Sequence, residues 1–400
     1  MKPFGAIPPW WDAARMARAL ETAGDASPCF VYDLGIVRDK VATLRAALPG
    51  GVGIHYAVKA NPHPQVIAAL AALVDGLDIA SGGELAQVER AAPGAHVSFA
   101  GPGKRDDEIE AAIRGGVTLN LESEGEATRA LAAADRLGIV PKLAIRVNPD
   151  FALKGSGMKM GGGAAAFGVD AERVASLVRR LIDKGADWQG FHIFAGSQAL
   201  DSEAIAATQA ATVALAGRLA TEVGKLPPLV NLGGGFGIPY FANDATVDVT
   251  LVGAHLGEVL ATRPASLAGT RFVVELGRWL VGECGVYLTR IIDRKDSRGE
   301  TFLVTDGGLH HQLAASGNFG TVVRRNYPIA VATSFAKPAT ETVNVVGCLC
   351  TPLDKLGESV SLPLADVGDV IAVFMAGAYG ASASPTAFLG HGPAVECLIG

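Results

Sequence analysis

Between Val52 and Glu275 the sequence repeats one unit eight times, a short β-branched strand followed by a helical stretch. The strands read as Val52–Val58, Leu77–Ala80, His96–Ala100, Val117–Leu121, Leu143–Val147, Gly190–Phe194, Leu229–Leu232 and Phe272–Glu275. Amphipathic Ala-, Leu-, Glu- and Arg-rich segments separate most of them: Gln65–Leu73, Glu84–Ala92, Glu124–Leu137, Ala171–Lys184 and Ser202–Val223. A helix between two strands carries the chain back so that the strands run parallel, and eight such units have the size and rhythm of a closed (β/α)8 barrel. After Glu275 the helical pattern stops. Trp279–Asp293, Thr301–Thr305, Thr340–Gly347 and Gly368–Phe374 read as strands parted by Gly, Pro and Asp turns. The expected fold class is therefore α/β, a TIM-type (β/α)8 barrel over residues 36–275 plus a C-terminal antiparallel β domain. That domain takes residues 276–400 and 1–35, with Cys29–Asp33 as an added strand. The interval from Val147 to Gly190 is long and holds the glycine-rich run Lys154–Gly163, which reads either as a lid or as a surface insertion.

The composition narrows the function. Of 400 residues 49% are apolar and 18% charged, enough for a large interior. A net charge of -6 argues against a nucleic-acid partner. No apolar run approaches the ~20 residues that span a bilayer, and the N-terminal stretch lacks the apolar core of a signal peptide, so no membrane contact and a cytoplasmic location are expected. The five cysteines are odd in number and none has C-x-x-C spacing, which points to reduced thiols and to no metal. Cys348 and Cys350, two apart, would face opposite sides of a strand.

The strand ends of a barrel share one face, where catalytic groups meet. Here they carry Lys59, Asp78 with Glu84 beyond it, Arg146, His192 and Phe194, the turn Gly233–Gly237, and Glu275-Leu-Gly-Arg278. A desolvated lysine amine forms Schiff bases with carbonyl compounds. A glycine turn brings backbone N–H groups close to a phosphate, and the Arg278 guanidinium matches phosphate oxygens. An acid such as Glu275 at the end of an apolar strand needs a partner: Arg146, or a protonated ring nitrogen. An amine, an anion cradle and a carboxylate for a pyridinium together describe pyridoxal 5'-phosphate.

These residues resemble the PLP-dependent ornithine/diaminopimelate/arginine decarboxylases of fold-type III, along nearly the whole chain. His55-Tyr-Ala-Val-Lys-Ala-Asn61 is similar to the cofactor-lysine motif, which implies that Lys59 forms the internal aldimine. Asp78-Ile-Ala-Ser-Gly-Gly-Glu84 is similar to the next motif, whose acids line the site. Gly234, Gly235, Phe236 and Gly237 match the phosphate turn, and Glu275, Gly277 and Arg278 match E-x-G-R. Ser197 and Tyr379 stand where the family contacts phosphate. Gly347–Asp354 resembles the segment that enters the partner subunit's site, with Cys350 at the thiol position. The resemblance implies a homodimer with shared sites, and loss of CO2 followed by reprotonation from Cys350 or Lys59.

Departures from the family pattern point to the substrate. Phe194 stands where the family stacks a histidine on the cofactor ring, and His192, two residues earlier on the same strand, would face substrate with it. A phenyl face stacks but donates no hydrogen bond. Thr351 stands where an acid usually grips a distal amine, a loss of roughly 2–5 kcal/mol for a substrate ending in ammonium, unless Asp354 substitutes. The stretch from Asp306 through Gln312 to Phe319 also lacks the tyrosine and arginine of the diaminopimelate and ornithine enzymes. These features resemble the subgroup found beside exosortase systems and imply an aminoacyl group tethered to an acyl carrier protein, with Lys154, Lys159, Arg324 and Arg325 as candidate contacts. The rival readings are a free-substrate diaminopimelate, ornithine or lysine decarboxylase, a PLP-dependent racemase, and a non-catalytic regulatory homologue.

Overall fold

The computed structural model describes residues 1–155, 157–159, 161–317 and 325–400. Asn318, Phe319, Arg324 and the side chain of Lys159 lie outside the described residues. The chain divides into two compact units. One is Val41–Gly237 with Thr246–Gly277, and the other is Met1–Lys40 with Ile238–Ala245 and Arg278–Gly400.

In the first unit eight parallel strands close on themselves: Val52–Ala57, Gly76–Ile79, Val97–Phe99, Thr118–Leu121, Lys142–Asn148, Asp187–Ile193, Leu229–Gly234 and Arg271–Leu276. Closure comes from pairing of Thr118–Leu121 with Lys142–Asn148 and of Val52–Ala57 with Arg271–Leu276. All eight strands expected from the βα rhythm are present. The helices start where the chain supplies an oxygen for orphan N–H groups. Ser81 caps Gly82–Ala91, Ser123 caps Glu124–Leu137 and Asp201 caps Ser202–Val223. Gly138 and Gly224 end two of them in the left-handed conformation.

The barrel interior is unusually polar at its centre. In the ladders His55 pairs with Glu275, His192 with both Arg146 and Asn231, and Ser98 with Asp78. Directly paired residues project from the same face of a sheet, so this register gathers the ionisable side chains inward. Gly76 is required there, because a Cβ would lie 2.6 Å from the His55 ring.

The second unit is a mostly antiparallel sheet. Its strands run in the order Ile329–Val331, Val370–Phe374, Gly285–Ser297, Glu300–Thr305, Glu341–Val346 and Lys355–Leu362. Cys29–Asp33 joins Gly285–Ser297 antiparallel and Val395–Ile399 parallel. The segment expected to be a strand from Trp279 is helical at first: Arg278–Val281 is an α-turn and Gly282–Cys284 a 3-10 turn, and the strand begins at Gly285. A run of large apolar residues does not by itself distinguish helix from strand. Cys348 and Cys350 lie in a bend and not on a strand. All five cysteines are free. Among the described residues no helix is long and apolar enough to cross a membrane.

Candidate active site

At the C-terminal ends of the barrel strands, Lys59, Asp78, Ala100, Arg146, Phe167 and Glu275 line a cavity of ≈ 200 Å³. The Val52–Ala57 strand stops two residues before Lys59, which lies in the 3-10 turn Val58–Ala60. The amine expected to be desolvated belongs to an exposed side chain, with Nζ 5.9 Å from the centroid of the Phe194 ring. Phe194 falls just past the strand Asp187–Ile193, so strand alternation does not set its direction relative to His192.

Beneath the cavity the polar groups form a chain. His55 Nδ1 lies 3.2 Å from Asp78 Oδ1. The Asn231 amide is 3.5 Å from both Asp78 and Glu275, and His192 Nε2 is 2.7 Å from Glu275 Oε2. All five residues are buried. Burial alone would raise the Glu275 pKa. The hydrogen bond and charge of His192, with Lys59 and Arg146 beyond, outweigh it and hold the carboxyl below its ordinary value. Burial opposes protonation of His55, yet the Asp78 carboxylate, with help from Glu275, raises its pKa. The partner of Glu275 is therefore His192 and not Arg146. His192, expected to face substrate, is 3% exposed and committed to that carboxylate.

Arg146 is paired elsewhere. Its guanidinium meets Glu122 at 2.9 Å and lies over the Phe167 ring at 5.0 Å. Glu122 also accepts from the Gly101 and Gly168 N–H groups, so one buried carboxylate ties three segments of the mouth together. The sequence reading missed Glu122, although it directly follows the Thr118–Leu121 strand and so obeys the strand-end rule that found the others. Glu84 reaches back past the Ser81 cap to accept from Ala80 N at 2.6 Å, and burial raises its pKa.

The glycine turn is built by contact. A Cβ on Gly234 would lie 2.1 Å from the Glu275 carbonyl oxygen, and one on Gly235, at φ +76°, 2.2 Å from that of Gly196. The backbone of Phe236 bridges to Ala199, and Gly237 N–H donates to the Ala199 carbonyl at 2.8 Å. Beside the turn, Gly196–Ser197 pairs antiparallel with Met158–Lys159, so the glycine-rich insertion is stitched to the segment carrying Ser197. Gly277 sits against the lysine turn, where a Cβ would come 2.9 Å from that of Ala60.

Within the second unit Arg278 donates to the Tyr240 hydroxyl at 2.7 Å, and its guanidinium lies 4.7 Å from the Tyr379 ring centroid. Arg278 Nε is buried without a hydrogen-bond partner among the described residues. Tyr240 was missed, since nothing in Phe236–Tyr240 distinguishes it from a core aromatic. Cys350 is exposed. The Thr351 hydroxyl accepts from Leu353 N. Asp354 is not available to a substrate. It is 2% exposed, its oxygens accept from Leu309 N at 2.6 Å and Leu349 N at 2.9 Å, and Gly308 and Gly347 wall it in. Arg325, a candidate carrier contact, lies over the Phe241 ring at 3.7 Å and reaches Asp244 at 3.5 Å. Lys154 is exposed.

Residues 34–282 match the family model described as pyridoxal-dependent decarboxylase, pyridoxal binding domain. The chain is 34% identical over 381 residues to L-glutamyl-(BtrI acyl-carrier protein) decarboxylase of Niallia circulans, covering 93% of this chain and 88% of the relative. It is also 34% identical to diaminopimelate decarboxylase of Neisseria meningitidis serogroup A, covering 82% and 78%. A crystal structure of diaminopimelate decarboxylase from Helicobacter pylori complexed with L-lysine superposes with a TM-score of 0.79 at 26% identity, over 91% of this chain and 89% of that one.

Proposed function

The chain belongs to the pyridoxal-dependent decarboxylases and is an amino-acid decarboxylase, and we propose that its substrate is an amino-acid unit tethered to an acyl carrier protein. The observation that carries this reading is the absence, among the described residues, of an available acid at the position the family uses for a distal ammonium. Thr351 holds the position where the family places one, and the nearby Asp354 is consumed by two backbone N–H groups. The Niallia circulans relative, named for a carrier-bound glutamyl substrate, supports it.

The residues fit pyridoxal phosphate on their own geometry. A buried, ionised carboxylate lies at the base of the cavity, a turn whose Gly234 and Gly235 leave no room for a Cβ lies beside it, and an arginine with an unmatched buried Nε follows Gly277 in the chain. Bound pyridoxal phosphate supplies the electron sink for the bond that loses CO2. In our reading Lys59 would hold the cofactor through its amine, and the Phe194 ring, 5.9 Å from that amine, would supply an apolar wall beside it. Glu275, held ionised by His192, would favour a protonated ring nitrogen, and the Asp78–His55 pair adjoins it through Asn231. The N–H groups of the Gly234–Gly237 turn, with Ser197, Arg278 and Tyr379, are assigned to the phosphate. Arg146, locked by Glu122, contributes positive charge at the mouth. Cys350 is assigned as proton donor to a second copy of the chain in a homodimer.

A CO2-release screen tests the substrate. Carrier-bound aminoacyl substrates, glutamyl first, are expected to turn over, and free diaminopimelate, ornithine and lysine to be poor. Turnover of a free diamino acid as fast as the carrier-bound unit would overturn the tethering.

A further inference from the structure

We propose that His310, Cys348 and His391 bind a divalent transition-metal ion, zinc being the best match, at a three-ligand site within the second unit. Their ligand atoms all lie within 4.8 Å of one another. Tetrahedral bonds of about 2.0–2.3 Å place ligand atoms about 3.3–3.8 Å apart, so ring and thiol rotations of about 1 Å close the site. The second, independent observation is His310 itself. It is 0% exposed, and neither ring nitrogen has a hydrogen-bond partner among the described residues. A buried polar group left unmatched is destabilising, and a metal bond relieves that cost.

The neighbours hold the ligands in place. His311 uses both its nitrogens, Nδ1 at 3.1 Å from the Tyr287 hydroxyl and Nε2 at 2.9 Å from the Gly392 carbonyl oxygen. It thereby fixes the main chain beside His391, whose ring centroid lies 4.6 Å from that of His310. The Cys348 thiol points its proton at the Asp306 carbonyl at 3.4 Å. On metal binding that proton leaves to solvent and the sulfur becomes a thiolate ligand. Two neutral imidazoles and one thiolate on a divalent ion leave a net positive charge and a fourth position for water. The ion would staple the Phe388–Gly390 turn to the bend that carries Cys350, two residues beyond Cys348. The ligands come from three distant segments, which is why no spacing motif announces them. The inference stands on the second unit alone and does not depend on the cofactor or substrate readings.

The test uses the full-length protein without a histidine tag, stripped with a chelator and titrated with Co(II). Stoichiometric uptake with a thiolate-to-cobalt charge-transfer band, displaced by Zn(II), is expected. Cys348→Ser should lose the band. His391→Ala, at an exposed residue, should keep the wild-type circular dichroism and lose stoichiometric uptake. No charge-transfer band in the wild type, a band that survives in Cys348→Ser, or unchanged uptake by His391→Ala would each overturn the proposal.

Discussion

Asp354→Asn separates two roles that a sequence leaves together, gripping a substrate and holding a loop. In the structure the carboxylate accepts from Leu309 N and Leu349 N and stays 2% exposed. The amide keeps the shape but turns one acceptor oxygen into a donor facing an N–H. Loss of one hydrogen bond to a buried charge is worth about 1.5–3 kcal/mol. Concentrated on the bend that carries Cys350, about 1.5–3 kcal/mol corresponds to about 10- to 150-fold faster amide exchange at Leu309 and Leu349. Hydrogen exchange read by mass spectrometry on peptides spanning these residues measures it directly. Melting of the second unit should fall with it, at about 2–4 °C per kcal/mol for a unit of this size. An unchanged exchange rate and melting temperature, together with a raised KM, would refute the reasoning and return Asp354 to the substrate.

Gly235→Ala forces a Cβ to 2.2 Å from the Gly196 carbonyl oxygen at a positive φ. It should destabilise the barrel by about 1–3 kcal/mol and weaken retention of pyridoxal phosphate on dialysis; a wild-type melting temperature would count against the cradle. The raised His55 pKa gives a pH dependence with a definite sign. Because the folded value lies above the ordinary 6.5, its stabilisation is full below that pH and is lost as pH rises through the folded value. Urea midpoints should therefore decline as pH rises above 6.5, and His55→Gln should flatten that decline. An equal slope in both proteins would remove Asp78 as its cause.

The barrel was legible because a strand-helix rhythm repeated eight times has few other solutions, and the strand-end rule then collects the mouth residues without any knowledge of contacts. What escaped was set by pairing at a distance. Glu275 chose His192, 83 residues away, over Arg146, which Glu122 had already engaged. No local pattern ranks those partners. Ile238–Ala245 joins the second unit although it lies between two barrel segments, and its residues carry no periodicity to reveal it. The strands Ile329–Val331, Lys355–Leu362 and Val395–Ile399 were missed: they are short or interrupted by Gly and Ser, and depend on neighbours more than on their own propensity. Asp354 looked like an available acid because burial is invisible in a sequence.

The pairing of Cys29–Asp33 with Gly285–Ser297 and Val395–Ile399 also has a kinetic side. The five residues of this strand are buried throughout, yet their partners are synthesised only after every barrel strand. During synthesis an apolar ribbon must wait, unpaired, while the rest of the chain closes around itself. Such long-range pairing slows folding and leaves a sticky edge exposed in the meantime. Chaperone dependence in this enzyme should therefore trace to its first forty residues.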